Sequence, residues 1–324
     1  MSTSYLETTI NVYKEAAENP QIGLCCTTTP IWLLPGLEMP KRMQEMNYGC
    51  GSTVNPRDLA NNPRILYVGV GGGMELLQFA YFSRKKGGVT GIDIVQEMLE
   101  ACKQNFSEAE KLNPWFKAEF VELIKGNALK LPVPDNSIDI AAQNCLFNIF
   151  KKDDLIQALK EMYRVLKPRG RLVLSDPTSE VKMSKALTDD DRLRALCLSG
   201  ALPLKDYLKM ITDIGFGTVE VRAKRPYRIL DPGHYATDIL IYIESVEVCA
   251  IKDSMPSDGP CIFTGKTAIY FGDKEFFDDK SGHVLMLNQP LSICDKTAAN
   301  LTALNRDDIF ISPSTFFYDG GGCC

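Results

Sequence analysis

The sequence predicts an α/β chain built on an open, mostly parallel sheet of seven strands. Short apolar runs alternate with amphipathic helix patterns from Ile65 onward, and strands alternating with helices make parallel sheets covered on both faces. A glycine-rich turn, "VGVGGG", directly follows the first of these runs. The last two strand patterns, "GTVEVRAK" and "LIYIESVEVCAIK", have no helix between them, which suits an antiparallel hairpin at one edge.

Taken in order, residues 1–63 read as helical segments separated by loops. They open with "MSTSYLETTINVYKEAAENP", an amphipathic helix capped near Ser4, and carry "GLCCTTTP" and "NYGCG". Residues 64–252 hold the sheet. Its strands are Ile65–Val68, "GVTGIDIV", "AEFVELIKGNA", "SIDIAAQNC", "GRLVLSD" and the final pair. Helix patterns fall near 97–106, along "DDLIQALKEMYRVLKP" with apolar residues at 3–4 spacing, and over 189–198 and 204–214. The cluster "TDDDRLR" reads as a solvated helix start favoured by the helix dipole. At "DSMPSDGPC" the composition shifts to Pro, Gly, Ser and Asp. Residues 253–324 then read as a small α+β module with short strands, a helix near 296–304 and the tail "GGGCC".

The length of 324 residues suits two domains, or one with an extension, at roughly 100–200 residues per domain. A net charge of −5 and the lack of a basic run interleaved with aromatics argue against a nucleic-acid partner. No apolar run approaches the ~18 residues of a membrane span, and the start lacks signal-peptide order. No membrane association and a cytoplasmic location are the resulting expectations.

Eleven cysteines stand against two histidines, His234 and His283. A histidine-rich metal centre is thereby excluded, and no Cys-x-x-Cys pair offers a zinc pattern. In a reducing compartment such thiols are buried, reactive or ligating. Cys102, Cys249, Cys261 and Cys294 are assigned to packing, and Trp32 and Trp115 to structure. Cys323 and Cys324 sit behind three glycines, an entropically costly tether. They read either as a swinging dithiol arm or as a tail without function.

The turn after the first strand has glycine at alternate places, Gly69, Gly71 and Gly73, and methionine where a dinucleotide fingerprint wants its last glycine. This is the loop form of S-adenosylmethionine (AdoMet) enzymes. Asp93 ends the second strand, where a carboxylate accepts both ribose hydroxyls. Asn127 and Ala128 follow the third strand, at the place of the adenine amino group. The bland alternative is a tight turn and a helix cap.

Ligands of such sheets lie beyond the carboxyl ends of the strands. The fourth strand ends in "QNCLF". Asn144, counted here with the cofactor contacts, and Phe147 remain of an amine-methyltransferase Asn-Pro-Pro-Tyr clamp. Cys145 and Leu146 replace the prolines, so no clamp for a nitrogen is present. Cys145 alone reads as an apolar core cysteine. Cys197, in "CLSGAL", can roof the same pocket, and Cys50, in "NYGCG", can fold over it from the N-terminal segment. Three thiols beside a methyl donor would make a soft site, and trivalent arsenic is both thiophilic and nucleophilic through its lone pair.

With "NYGCG", "VGVGGG", "GIDIVQEML", "QNCLFNIF", "CLSGAL", "TGKTAIYFGD" and "CDKTAANL" on the page, the chain resembles the arsenite AdoMet methyltransferases over nearly its whole length. It is similar to the arsenosugar-biosynthesis branch even in "LCCTTTP" and "GGGCC". The resemblance implies a class I AdoMet methyltransferase fold (Rossmann-like). It implies As(III) held by Cys145 and Cys197, with Cys50 as a third or redox thiol and Cys25 or Cys26 as its partner. It also implies successive methylation of arsenite and methylarsenite towards dimethylarsenite, a thiol reductant of glutathione or thioredoxin type, detoxification, and later arsenosugar-pathway enzymes as partners. The loop departs from its relatives, which carry an acidic or polar residue near its end. Two other functions remain open: a metalloid-sequestering protein on this fold, or a methyltransferase of an organic small molecule.

Overall fold

In a computed structural model of the chain, residues 5–21, 24 and 32–315 are described. The chain enters through α1 (Tyr5–Glu18) and α2 (Lys41–Glu45). It then alternates β1 (Ile65–Val68), α3 (Met74–Ser83), β2 (Val89–Asp93), α4 (Gln96–Leu112) and β3 (Val121–Lys125). β4 (Ile138–Asn144), α5 (Lys152–Val165), β5 (Leu166–Ser179), α6 (Lys185–Thr188) and α7 (Asp191–Ala195) follow. β6 (Leu202–Pro203), α8 (Leu204–Ile214), β7 (Thr218–Leu230) and β8 (Ile241–Ile251) complete the alternation. The remainder holds β9 (Cys261–Phe263), β10 (Thr267–Tyr270), β11 (Phe276–Asp278), β12 (Val284–Met286), β13 (Leu291–Ser292), α9 (Asp295–Ala303) and β14 (Ile309–Ile311).

The main sheet runs β3-β2-β1-β4-β5-β8-β7-β9, with β6 paired to the end of β5. β1 through β5 are parallel, and β8 is antiparallel to both β5 and β7. The seven expected strands are present and the class I AdoMet methyltransferase architecture is the observed one. Two additions were not expected. β6 is too short for a periodic pattern to register, and β9, expected among the short strands of the C-terminal module, joins this sheet instead. β9 pairs parallel with β7, so the edge of the sheet is supplied by the C-terminal region rather than by the hairpin.

Each face is covered because each helix buries a stripe. α4 turns Met98, Leu99, Cys102 and Phe106 inward, against Leu76 and Leu77 of α3. On the other face, Leu155, Leu159 and Met162 of α5 pack with Tyr207 and Ile211 of α8. Cys102 and Cys249 are fully buried in the core, as assigned, and burial pushes the Cys249 thiol up to about 12. The helix expected over 189–198 is broken. Asp190 caps α7 by accepting the amides of Arg192 and Leu193, both at 2.9 Å, and this restarts the helix. α1 begins at Tyr5; Ser4, its expected cap, lies outside the described residues. Beyond β9, the antiparallel set β13-β10-β14 and α9 enclose their own small core around Tyr270, Leu285 and Leu301. Among the described residues no helix is long and apolar enough to cross a membrane.

Strand order reverses between β1 and β4, which are neighbours with Val68 opposite Gln143. The loops leaving these two strands diverge and open a crevice at their carboxyl ends.

Candidate active site

That crevice forms a cleft. Its floor is the turn after β1, its far wall the ends of β2 and β3, and its near wall the end of β4. Met46, Asn47, Tyr48 and Gly49 line it from the N-terminal segment, and Thr9, Ile10 and Tyr13 of α1 roof it. α1 is held there by specific contacts. Tyr48 donates to the Ala16 carbonyl at 3.0 Å, Tyr13 donates to the Ala195 carbonyl at 3.2 Å, and the two rings meet edge to face. These contacts hold the segment over the cleft.

Gly69 and Gly71 border the cleft in left-handed conformations, φ 83° and 51°, which glycine adopts without strain. Gly73 does not border it. It sits behind, at φ 88°, where an added Cβ would lie 2.6 Å from the Cys102 sulfur, so its structural task is to let α3 approach α4. Asp93 lies at the end of β2. Its carboxylate accepts the Val70 amide of the glycine turn and the Val95 amide, each at 2.9 Å. Burial pushes it up to about 6 against these bonds. Asn127 and Ala128 border the same end, with Asn127 accepting the Leu129 amide at 2.9 Å. A carboxylate on one side of a glycine turn and a polar residue on the next strand fit a ribose and an adenine, so the residues present suit AdoMet.

The near wall is assembled differently. Cys145 is buried yet borders the cleft. It holds a left-handed φ of 60°, an uncommon backbone for a non-glycine residue and a strain that clusters at functional sites. Its amide donates to the Ser175 carbonyl at 2.7 Å, which fixes the turn to β5. Cys197 is also left-handed, φ 58°, and its thiol donates to the Cys145 carbonyl at 2.7 Å. Cys50 places its sulfur 3.5 Å from Ser175 Oγ. The three cysteines are thus neighbours around Cys145 and Ser175. Cys50 and Cys197 stand behind the cleft wall, and among the described residues no three Cys, His, Asp or Glu side chains form a ready ion-holding group.

The strap carrying Cys50 lies flat on the ends of β4 and β5 because its flanks are glycines. A Cβ on Gly49 would fall 2.7 Å from Asn144 Nδ2, and one on Gly51 2.3 Å from Ser175 Oγ. Asn144 clamps it by accepting the Cys50 amide at 2.9 Å and donating to the Gly51 carbonyl at 2.9 Å. Asn144 thus does borders-and-clamp duty between the cleft and the thiols.

Two buried carboxyls escaped the sequence reading. Glu75 borders the cleft and receives Thr53 N at 2.7 Å, Thr53 Oγ1 at 2.9 Å, Tyr67 OH at 2.8 Å and Asn144 Nδ2 at 3.2 Å. Burial raises it and these bonds only partly offset the rise. It supplies an acid just past the glycine loop, where the loop itself lacks one. Asp176 lies beneath the Cys145 turn. It receives Gln143 Nε2 and, at 2.7 Å, Tyr207 OH, and burial pushes it up to about 7. Gln143 Oε1 in turn accepts the Leu146 amide at 2.9 Å, so the network supports the turn from below. An acidic residue two places beyond the last loop glycine was the one available signal for Glu75; Asp176 gave none. Cys25, Cys26, Cys323 and Cys324 lie outside the described residues.

Comparison with known proteins finds similarity to methyltransferases. Residues 66–174 match the model of a methyltransferase domain. The chain is 28% identical to the arsenite methyltransferase of Aquipseudomonas alcaligenes over 69% of its own length and 66% of that protein. It is 32% identical to the arsenite methyltransferase of Mus musculus over 64% of its length and 55% of that protein. The chain therefore spans about half to two thirds of these relatives. Among solved structures it is similar to an arsenic(III) S-adenosylmethionine methyltransferase from Chlamydomonas reinhardtii, with TM-score 0.54 and 22% identity, covering 85% of this chain and 92% of that one; this likeness concerns the fold.

Proposed function

We propose that this chain, which has the class I AdoMet methyltransferase fold and is similar to arsenite methyltransferases, methylates trivalent arsenic with AdoMet as donor. The observation that carries the proposal is the Cys145 turn: a left-handed cysteine at the cleft wall, beyond the fourth strand, with a second thiol on its carbonyl and a third reached through Ser175, whose carbonyl takes the Cys145 amide and whose hydroxyl meets the Cys50 sulfur. Gly69, Gly71, Asp93, Asn127 and Ala128 would hold AdoMet, which supplies an electrophilic methyl group. Cys145 would hold arsenic facing that methyl. Cys197 would become a ligand by turning its thiol off the Cys145 carbonyl, and Cys50 by leaving Ser175. The arsenic lone pair would form an As–C bond as the methyl's bond to the AdoMet sulfur breaks and S-adenosylhomocysteine leaves; arsenic is thereby oxidised by two electrons, and two thiols that become a disulfide would return it to As(III). No general base is needed, consistent with neither histidine lining the cleft. The roof formed by α1 and Met46–Gly49 keeps bulk water from the reacting atoms.

The finer reading rests on the resemblance. Successive transfer to methylarsenite and dimethylarsenite, cysteine ligation, a thiol reductant, a cytoplasmic site of action, detoxification and a place in arsenosugar biosynthesis belong to this proposal. Cys25 or Cys26 would pair with Cys50, and Cys323 and Cys324 would capture arsenic. The decisive experiment incubates the full chain with AdoMet and thiol, with and without arsenite. Release of S-adenosylhomocysteine only when arsenite is present is the expected result; AdoMet binding without arsenite-dependent release would overturn the proposal.

A further inference from the structure

One charge in the Cys197 segment is not where its sequence suggests. The cluster "TDDDRLR" reads as solvated, yet its last residue, Arg194, is only 6% exposed. Among the described residues no carboxylate bonds its guanidinium; Asp189 and Asp191 act on it only at longer range. Its Nε has no partner among them either. A buried cation outside an ion pair is costly, so its two remaining bonds carry the explanation. Nη1 donates to the Phe150 carbonyl at 3.2 Å and Nη2 to the Thr188 carbonyl at 3.1 Å. Phe150 closes the short helical turn Phe147–Ile149 that follows Cys145, and it borders the cleft. The Arg194 carbonyl, in turn, accepts the Cys197 amide at 2.9 Å. One residue therefore grips the Cys145 segment with its side chain and the Cys197 segment with its backbone.

Other ties cross the same seam, and they differ in kind. Gly200 lies against the Asn148 carbonyl, where an added Cβ would fall 1.8 Å from the oxygen; this is close packing without a bond. Lys151 and Asp191 pair at 3.6 Å, but the lysine side chain is half exposed, and such pairs contribute little. The Cys197 thiol donates to the Cys145 carbonyl at 2.7 Å. That bond is given up when Cys197 turns its sulfur to arsenic. The guanidinium tie survives the turn, because it uses no atom of either cysteine side chain. A planar fork reaches two carbonyls at once; an ammonium is a point charge, and a thioether donates nothing.

We propose that Arg194 is a positioning residue for arsenic: its guanidinium braces the Cys197 segment against the Cys145 segment and fixes the separation at which the two sulfurs share one arsenic. The inference rests on the reading of Cys145 and Cys197 as arsenic ligands. Arg194 touches neither AdoMet nor arsenic. Its effect is on how well the second sulfur is held near the first, which is a matter of effective concentration. Loss of the brace should therefore weaken arsenical capture and leave the saturated rate in place, the pattern of lost uniform binding.

The test uses the full chain, phenylarsine oxide, and excess glutathione to strip single-thiol adducts. The reagent's oxygen leaves as water with two thiol protons, two As–S bonds take its place, and no atom changes oxidation state. Digestion and mass spectrometry should find the Cys145 and Cys197 peptides joined through one phenylarsenic group. The lifetime of that bridge against a competing small dithiol is then measured in wild type and variants. Arg194→Met, similar in length but unable to donate, should shorten it about tenfold or more, the scale on which a second attachment is weakened. The arsenite concentration for half-maximal rate should rise by a similar factor, with the saturated rate and AdoMet affinity unchanged. Arg194→Lys keeps the charge and one carbonyl bond. It guards against misfolding of the first variant and should act in the same direction by a smaller factor. Absence of a Cys145–Cys197 bridge in wild type would overturn the thiol site itself and the brace with it. A bridge as long-lived as in wild type, in whichever variant binds AdoMet normally, would overturn the brace alone. Loss of AdoMet binding in both variants would do the same, by making Arg194 a general folding residue.

Discussion

Between Ile65 and Asp93 a single β-α-β unit supplies the glycine turn and the carboxylate that face the cleft. Cys50, Cys145 and Cys197 come instead from three separated segments: Asn144 and Ser175 join Cys50 to Cys145, Ser175 with its hydroxyl and its carbonyl, and the Cys197 thiol is held on the Cys145 carbonyl. The cofactor end is thus a local construction and the thiol end a tertiary one. The difference teaches that the two ends should fail independently under substitution. Only residues that bridge them should disturb both.

The largest expected effect is at the thiol end. Cys145→Ser replaces a soft ligand with a harder, poorly ionised hydroxyl. Methylation of arsenite and of methylarsenite should each fall by about a hundredfold or more, read as lost transition-state stabilisation. AdoMet affinity, measured by calorimetry, should not move. A variant that loses AdoMet binding in parallel would break the comparison.

Asp93→Ala is the reciprocal case. Removing a charged acceptor should weaken AdoMet binding by about 1.5–3 kcal/mol, while arsenical binding to the thiols, followed with labelled arsenite, stays as it was. Asp93 also ties the glycine turn through Val70, so part of the loss reflects a looser loop. Unchanged AdoMet affinity would remove Asp93 from the site.

Asn144 spans the boundary. Asn144→Ala strands the Cys50 amide and the Gly51 carbonyl in a buried place. The expected loss is about 1–3 kcal/mol of stability, read as a drop in unfolding midpoint. Unlike the two preceding variants, it should raise both the AdoMet dissociation constant and the arsenite concentration for half-maximal rate. An effect on one alone would place Asn144 at that end.

The same division explains what could be read from the sequence. The strand at Ile65–Val68, the glycine turn and Asp93 are consecutive enough for pattern and spacing to specify them, and the structure has them where the pattern put them. The neighbourhood of Cys50, Cys145 and Cys197 was inferred from strand order and motifs, but its geometry was not readable. No sequence signature marks a cysteine that will take a left-handed backbone, as Cys145 and Cys197 do. Glu75 looked like an ordinary acid in the first turn of a helix; only tertiary structure brings Thr53, Tyr67 and Asn144 onto it. Asp176 sat inside the fifth strand pattern, and its partners Gln143 and Tyr207 arrive from other elements.

The smallest expected effect is a pH dependence confined to the cofactor end. Burial places Asp93 at about 6, above the ordinary carboxylate range. Accepting a ribose hydroxyl favours the ionised form, so binding should pull this value down. AdoMet affinity should therefore be flat above about pH 7 and fall as pH drops through 6, by at most about tenfold per unit for a single proton. Glu75 is raised as well and borders the same cleft, so the slope must be assigned. Asp93→Asn keeps the shape and one acceptor but cannot titrate. Its AdoMet affinity should be lower at pH 7.5 than that of the parent, and the parent's dependence near pH 6 should disappear. Arsenical binding to a Cys145→Ser/Asp93→Asn pair should differ from Cys145→Ser by no more than experimental scatter, because the carboxylate belongs to the local unit. A slope that survives in Asp93→Asn would transfer the titration to Glu75, whose contacts reach Thr53 and Asn144, and would mean that protonation at the cofactor end is felt by the strap that carries Cys50.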